Sequence, residues 1–159
     1  MTEDFDAIII GAGQSGPFLA AKLAEAGQKI ALIEREHLGG TCVNDGCTPT
    51  KTLVASARAA WTARRAGELG VVINGPVHVD MAAVKARKDR VVNASLQSLQ
   101  DWLDGLQTLE LIRETGSFVS PTEVRAGDRL LRAPQIFINT GASALVPDWP
   151  GLRDVPYLT

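Results

Sequence analysis

The sequence predicts an α/β fold in which helices cover a parallel sheet and a small antiparallel β-meander follows. Three observations support this prediction. An apolar run at residues 5–10 leads into a glycine pattern at 11–16 and then into an alanine-rich stretch typical of a helix. A second apolar run follows at residues 29–33. Beyond residue 105 the pattern changes to short extended pieces separated by turns.

The composition is that of an ordinary folded domain. The chain has 159 residues, of which 45% are apolar and 21% charged, and its formal net charge is −2. This length favours one domain, and the composition excludes disorder. The small charge gives no electrostatic reason to expect binding to nucleic acid or to an anionic membrane. No apolar run approaches the roughly 20 residues that span a bilayer, and no export signal is visible, so the cytoplasm is the expected compartment.

The first elements are predicted to form a βαβ unit that binds a dinucleotide, as in Rossmann-like folds. The predicted order is a strand at 5–10, a helix at about 17–26 and a strand at 29–33. The glycines of the first turn have distinct tasks, because one permits the tight turn, one lets the backbone approach a pyrophosphate and one allows the helix to pack on the strand. These are Gly11, Gly13 and Gly16, in that order.

The second strand ends in an acidic residue that completes the dinucleotide pattern. Glu34 lies where a carboxylate accepts hydrogen bonds from ribose hydroxyls. A 2′-phosphate at this place would meet a like charge, so the pattern disfavours NADP here. The pattern does not separate FAD from NAD.

Both cysteines of the chain lie in the segment that follows. Cys42 and Cys47 are too far apart on a regular helix for a disulfide, so a bond between them requires an irregular turn, which Gly46 and Pro49 can supply. A strained pair of this kind is typical of redox-active cysteines. Lys51, one helical turn further on, can favour a thiolate.

Three other interpretations of the cysteines stay open at this point. A structural disulfide is typical of secreted proteins, for which no signal is seen. A zinc site needs more ligands than the two histidines, His37 and His78, provide at their spacing. Two unrelated buried thiols are also compatible with the pattern.

Two helices are predicted after the cysteines. The first covers about 47–65 and has an apolar face, and the second has about 25 residues with Asp80 as its N-cap. A basic cluster on the second helix is expected to face solvent. The apolar face of the first helix consists of Leu53, Val54, Ala57, Ala60 and Trp61. The apolar stripe of the second helix consists of Met81, Val84, Val91, Leu96, Leu99, Leu103 and Leu106. The basic cluster consists of Lys85, Arg87, Lys88 and Arg90.

The last third of the chain is predicted to be extended. Five short strands are expected at 109–113, 116–119, 123–126, 129–132 and 135–139, with Gly127 and Asp128 as a hairpin turn. A proline-bearing tail follows. We expect residues 1–145 to form the nucleotide-binding domain and 146–159 to be a linker.

These motifs together resemble the flavoprotein pyridine nucleotide-disulfide oxidoreductases, which include dihydrolipoamide dehydrogenase, glutathione reductase and mercuric reductase. The resemblance spans nearly the whole chain in the family's order. It rests on residues 11–16, Glu34, the segment 39–51 with its Gly-Gly-Thr-Cys and Cys-Thr-Pro-Thr-Lys, and the run Ile138-Asn139-Thr140-Gly141-Ala142.

The resemblance implies a Rossmann-like FAD-binding domain and a redox-active pair of cysteines. Cys47 would be the thiol beside the flavin ring, Cys42 the interchange thiol that attacks the substrate, and Lys51 a residue near the flavin. The residues implied to bind FAD are Gly11, Gly13, Gln14, Ser15, Gly16, Glu34, Gly40, Thr41, Cys42, Lys51, Gly116, Ser117, Thr140 and Gly141. NAD(P)H would be the co-substrate, with no metal at the site.

The resemblance also has gaps. Family enzymes are about three times as long. This sequence has no second Gly-x-Gly-x-x-Gly pattern for a nicotinamide domain, no later flavin-contacting Gly-Asp and no carboxy-terminal His-Pro-Thr segment. Asn139 stands where alanine is commoner. We therefore interpret the chain as the amino-terminal part of such an enzyme, and we expect no NAD(P)H-dependent turnover from it alone.

Three functions are compatible with the sequence. The first is a share in an FAD-dependent disulfide oxidoreductase, most similar to bacterial mercuric-reductase-like proteins, with a small disulfide or Hg(II) as acceptor and a homodimer as the full-length form. The second is a stand-alone FAD- or nucleotide-binding module without turnover. The third, a plain NAD-binding domain, would make the cysteine segment accidental.

Overall fold

The computed structural model describes residues 1–158 and contains two four-stranded sheets and four α-helices in that range. The strands are β1 (Thr2–Asp4), β2 (Ala7–Ile10), β3 (Ile30–Ile33), β4 (Leu109–Ile112), β5 (Gly116–Ser120), β6 (Glu123–Ala126), β7 (Arg129–Arg132) and β8 (Gln135–Ile138). The helices are α1 (Gly16–Glu25), α2 (Gly40–Asn44), α3 (Cys47–Arg64) and α4 (Met81–Asp104), with 3₁₀ turns at Ala66–Leu69 and Leu152–Asp154.

The central sheet is parallel, as predicted, with strand order β4-β3-β2-β8. Strands β2 and β3 are buried on both faces, which explains their continuous apolar sequences. Ile8 and Ile10 join the core on the meander side, whereas Ile9 joins the core on the helix side with residues of α1 and α4. The molecule therefore has three layers: helices, parallel sheet and meander.

The second sheet contains the predicted meander and one additional strand. Its order is β1-β7-β6-β5, and β1 runs parallel to β7. The sequence did not predict β1, because its residues Thr2, Glu3 and Asp4 carry no apolar pattern. The strand is held instead by pairing with β7 and by ion pairs from Arg129 to Glu3 and from Arg132 to Asp4.

Most predicted boundaries agree with the structure to within a few residues. The N-cap at Asp80 is confirmed, because its side chain accepts a hydrogen bond from the Ala83 backbone N–H at 3.0 Å. The hairpin turn is confirmed as well, since Gly127 has φ +58° and joins the antiparallel strands β6 and β7.

The predicted apolar faces of the two long helices are partly wrong. Leu53, Val54 and Trp61 are 40%, 44% and 57% exposed, and α3 buries Pro49 and Thr52 instead. On α4, Met81 and Val91 are exposed, and of its stripe only Leu103 is fully buried. The reason is that α3 packs on α4 rather than on the sheet.

The basic cluster also departs from the prediction at Arg87. The Arg87 guanidinium donates to the carbonyl oxygen of Thr52 at 2.9 Å, so this side chain ties α4 to α3 instead of facing only solvent. Within residues 1–158, no helix combines the length and the apolar character needed to cross a membrane.

Candidate functional site

The candidate site lies where three parallel strands end side by side. Ile10 at the end of β2 is paired with Ile33 of β3 and with Ile138 of β8. Because the strands are parallel, the loops after all three meet at one edge of the sheet. This topology brings together the glycine pattern, Glu34 and the segment that begins at Asn139.

Two glycines of the first loop occupy positions that exclude any side chain. Gly11 has φ +103°, and a Cβ there would lie 2.3 Å from the carbonyl oxygen of Asn139. A Cβ on Gly16 would lie 2.2 Å from the carbonyl oxygen of Gly11. The loop therefore makes the tight turn and the close helix–strand contact expected of a dinucleotide-binding loop.

The cysteine segment docks on this loop through the backbone. Gly40 has φ +56°, and a Cβ there would lie 2.8 Å from the Cα of Gly13. The Gly39 N–H donates to the carbonyl oxygen of Ala12 at 2.8 Å, and the Gln14 side-chain amide donates to the carbonyl oxygen of Gly39 at 3.3 Å. These contacts fix α2 relative to the glycine loop.

The Glu34 carboxylate is held in place from both sides. Its Oε2 accepts the backbone N–H of Ala12 and its Oε1 accepts that of Glu36, both at 2.8 Å. A carboxylate oxygen can accept more than one hydrogen bond, so the group can still accept donors from a ribose.

An irregular turn separates the two cysteines, as the sequence predicted. Helix α2 ends before Gly46, which has φ −111° and ψ −108°, and α3 begins at Cys47. The N–H groups of Asp45 and Gly46 both donate to the carbonyl oxygen of Thr41, at 2.9 and 2.7 Å. Both cysteines are free thiols, with Cys42 half-buried and Cys47 exposed.

Cys47 affects the ionisation of the Cys42 thiol. A hydrogen bond to Cys47 raises the pKa of the Cys42 thiol, and desolvation and the charge of a Cys47 thiolate raise it further. The positive charge of Lys51 acts in the opposite direction on the same pKa. This arrangement can perform thiol–disulfide exchange, because one thiol can attack an acceptor and the other can resolve the product.

Three further predicted residues, Gly116, Thr140 and Gly141, lie near the same edge of the sheet. A Cβ on Gly116 would lie 3.1 Å from the Ile10 side chain, so the start of β5 covers the end of β2. A Cβ on Gly11 would also lie 3.2 Å from the Thr140 backbone nitrogen, and Gly141 has φ +70°. Ser117 is exposed and pairs with Arg125 within the meander.

Two asparagines contribute contacts that sequence reasoning missed. The Asn44 side-chain amide donates to the carbonyl oxygens of Leu38 and Gly40, both at 2.8 Å, and so fixes the start of α2. The closeness of Asn44 in sequence to Gly39 and Gly40 was the signal that could have indicated this contact. The Asn139 amide donates to the carbonyl oxygen of Gly11 at 3.1 Å and accepts from the Ser15 hydroxyl at 2.6 Å. These contacts depend on β8 lying beside β2.

The described residues fit a dinucleotide cofactor. A ligand has room to approach the backbone of the glycine loop, since the atom nearest to a Cβ on Gly13, the Asn139 side-chain nitrogen, would lie 3.6 Å away. The Ser15 side chain does not cap α1, so the start of this helix keeps donors for a phosphate. Among residues 1–158, no group of three or more His, Cys, Asp or Glu could hold a metal ion.

Comparison with known proteins gives consistent matches. The family profile described as pyridine nucleotide-disulphide oxidoreductase matches residues 5–158. Dihydrolipoyl dehydrogenase of Acholeplasma laidlawii is 34% identical over 97% of this chain and 46% of its own length. Mercuric reductase of Staphylococcus aureus is 34% identical over 98% of this chain and 28% of its own length.

A solved structure agrees with these sequence matches. The HOCl-induced flavoprotein disulfide reductase RclA from Escherichia coli superposes with a TM-score of 0.78 at 34% identity, over 95% of this chain and 31% of that one. The chain thus spans less than half the length of each of these relatives.

Proposed function

The chain belongs to the pyridine nucleotide-disulphide oxidoreductase family, and on that premise we propose that it forms the FAD-binding and dithiol-bearing part of an NAD(P)H-linked disulfide oxidoreductase. The observation that carries the proposal is the backbone contact between Gly13 and Gly40. A dithiol exchanges electrons with a dinucleotide cofactor only when the protein holds both in a fixed relation. This contact provides such a relation.

FAD would be held by the loops at the edge of the sheet. The backbone of the glycine loop, with Thr41, would bind the pyrophosphate, and Glu34 would accept from the ribose. Gly116 and Ser117 would lie by the adenine and Lys51 near the flavin, with Thr140 and Gly141 next to the cofactor. When bound, FAD supplies the two-electron link between NAD(P)H and the Cys42–Cys47 pair.

The reduced thiol pair would carry out the exchange with the acceptor. Cys42 loses its proton and attacks one sulfur of a small disulfide, and the other sulfur leaves and takes up a proton. A Cys47 thiolate then attacks the Sγ of Cys42, forms the Cys42–Cys47 disulfide and releases the second sulfur, which takes up the proton from Cys47. Two electrons pass from the protein to the acceptor. The charge of Lys51, which acts to lower the pKa of Cys42, supports its attacking role, since the thiolate is the form that attacks.

The acceptor is proposed at the level of its class. A small-molecule disulfide or Hg(II) would suit a pair of thiols, and the segment Cys47-Thr48-Pro49-Thr50-Lys51 favours the mercuric-reductase-like branch. The full-length protein would act as a homodimer. These 159 residues contain one dinucleotide fingerprint, so by themselves they are not expected to turn over NAD(P)H.

A visible spectrum of the protein with FAD, before and after anaerobic two-electron reduction, tests this proposal. We expect FAD to bind and a long-wavelength absorbance band to develop on reduction. The band should survive in Cys42→Ser and disappear in Cys47→Ser, because only Cys47 would lie against the flavin. FAD binding without any band would favour a flavin module with idle cysteines, and absence of binding would overturn the nucleotide assignment.

A further inference from the structure

The Ser15 hydroxyl occupies an unusual place for a serine at a helix start. Ser15 is the N-cap of α1, a position at which serine normally accepts a hydrogen bond from the second or third N–H of the helix. Here the hydroxyl makes no such bond, and it donates instead to the Asn139 side-chain oxygen at 2.6 Å. The helix start is left without a side-chain cap.

The backbone of Ser15 agrees with this arrangement. Its φ of −94° and ψ of −29° are helical, whereas a capping serine is normally extended. Pro17, the second residue after Ser15, has no backbone N–H. If Ser15 turned to cap the helix, the N–H group within reach would therefore be that of Phe18.

Asn139 is itself fixed, so it can hold Ser15 away from the helix. Its backbone N–H donates to the carbonyl oxygen of Ile10 at 2.7 Å, and its side-chain amide donates to that of Gly11 at 3.1 Å. The half-buried Asn139 thus spans the glycine loop from the end of β2 to the first residue before α1.

We propose that Asn139 is a positioning residue that keeps the start of α1 open for a phosphate by holding the Ser15 hydroxyl. Without Asn139, the Ser15 side chain competes with an anionic ligand for the Phe18 N–H. The ligand concerned is the pyrophosphate of FAD, so this inference rests on the proposed function, but the competing hydrogen bond belongs to the protein alone.

The first test needs no ligand. Amide hydrogen exchange of Phe18 is measured by NMR in the wild type, in Asn139→Ala and in Asn139→Ala/Ser15→Ala. We expect exchange at Phe18 to slow by about fivefold in Asn139→Ala, as a cap of typical strength would require, and to return to the wild-type rate in the double variant. Asn93→Ala, which removes an exposed amide on α4, is the control and should change nothing.

The second test measures FAD binding by quenching of flavin fluorescence in the same variants. Asn139→Ala should raise the dissociation constant by about fivefold, and adding Ser15→Ala should restore part of the affinity, because it removes the competitor. A simple loss of loop rigidity would not be repaired by a second deletion.

The outcomes separate this inference from the proposed function. Unchanged exchange at Phe18 in Asn139→Ala, or a double variant that binds FAD no better than the single one, would overturn the role of Asn139. If no variant and no wild-type protein binds FAD, the proposed function fails, while the exchange at Phe18 still decides whether Asn139 restrains Ser15.

Discussion

The Cys42 thiol retains its proton to a higher pH than an isolated cysteine because Cys47 lies against it. The hydrogen bond between them raises the pKa of Cys42, and the Lys51 charge counteracts this effect. We predict that Cys47→Ala lowers the pKa of Cys42 and that Lys51→Gln raises it. The pH dependence of Cys42 alkylation by iodoacetamide, followed by mass spectrometry, measures both shifts, because only the thiolate reacts.

The two variants provide opposite controls for this measurement. Removing the hydrogen-bond partner should move the midpoint of the alkylation profile to lower pH, and removing the positive charge should move it to higher pH. Cys42→Ala identifies any signal from Cys47. A midpoint that Cys47→Ala leaves in place would show that the two thiols do not interact.

At the residue scale, the sequence was informative where the local backbone conformation requires a particular residue type. Gly11 and Gly16 were predictable because a tight turn and a close helix–strand contact need glycine at those spacings. The break at Gly46 was predictable because a bond between Cys42 and Cys47 requires an irregular turn. The contacts of Asn139 were not, since they exist only once β8 pairs with β2 from more than a hundred residues away.

At the scale of elements, one arginine joins the two sheets. Arg129 of β7 donates to Glu3 of β1 and to Glu110 of β4. These bonds raise the pKa of Arg129 and lower that of Glu3. Because the pKa of Glu3 is lowered in the folded state, its contribution to stability is present above the unfolded value and is lost as pH falls through the folded value.

We predict that Arg129→Met lowers the free energy of unfolding by about 1 kcal/mol at pH 7, as expected for a network of partly exposed ion pairs. The difference from the wild type should shrink in acid, as pH falls through the lowered pKa of Glu3 and this carboxylate becomes protonated. Urea unfolding at pH 7 and pH 3 measures it. Arg132→Met, whose partners Glu123 and Asp4 both lie in the same sheet as Arg132, is the control and should cost less at pH 7. An Arg129 effect that is equal at both pH values would contradict the ion-pair explanation.

Elements with a strong local pattern were predicted well, and those set by their neighbours were not. The strands of the parallel sheet and the capped helix α4 have continuous apolar runs or an N-cap that indicate them directly. Strand β1 forms because β7 offers it an edge, and the apolar residues of α3 stay exposed because this helix packs on α4. Neither fact is encoded within the segment itself.

At the scale of the whole molecule, packing and ligand binding are separable because the core and the loops use different residues. Leu131 is fully buried between the parallel sheet and the meander, and it is far from the glycine loop in the sequence. Gly40 touches the loop itself and tolerates no side chain. A substitution in the core should therefore change stability without changing affinity, and one at Gly40 should change affinity.

We predict that Leu131→Ala lowers the free energy of unfolding by about 2–5 kcal/mol, the usual cost of such a truncation in a core. Saturating FAD, at about one hundred times its dissociation constant, should still add about 2.7 kcal/mol to this variant, the same amount that is expected for the wild type. In Gly40→Ala, binding weakened at least tenfold would reduce the added stability by about 1.4 kcal/mol at the same FAD concentration. Urea unfolding followed by circular dichroism, with and without FAD, measures all three proteins. If Leu131→Ala lost the FAD-dependent stabilisation while Gly40→Ala kept it, the placement of the cofactor against the Gly13–Gly40 contact would be wrong, and the site would have to be sought on the meander side of the sheet.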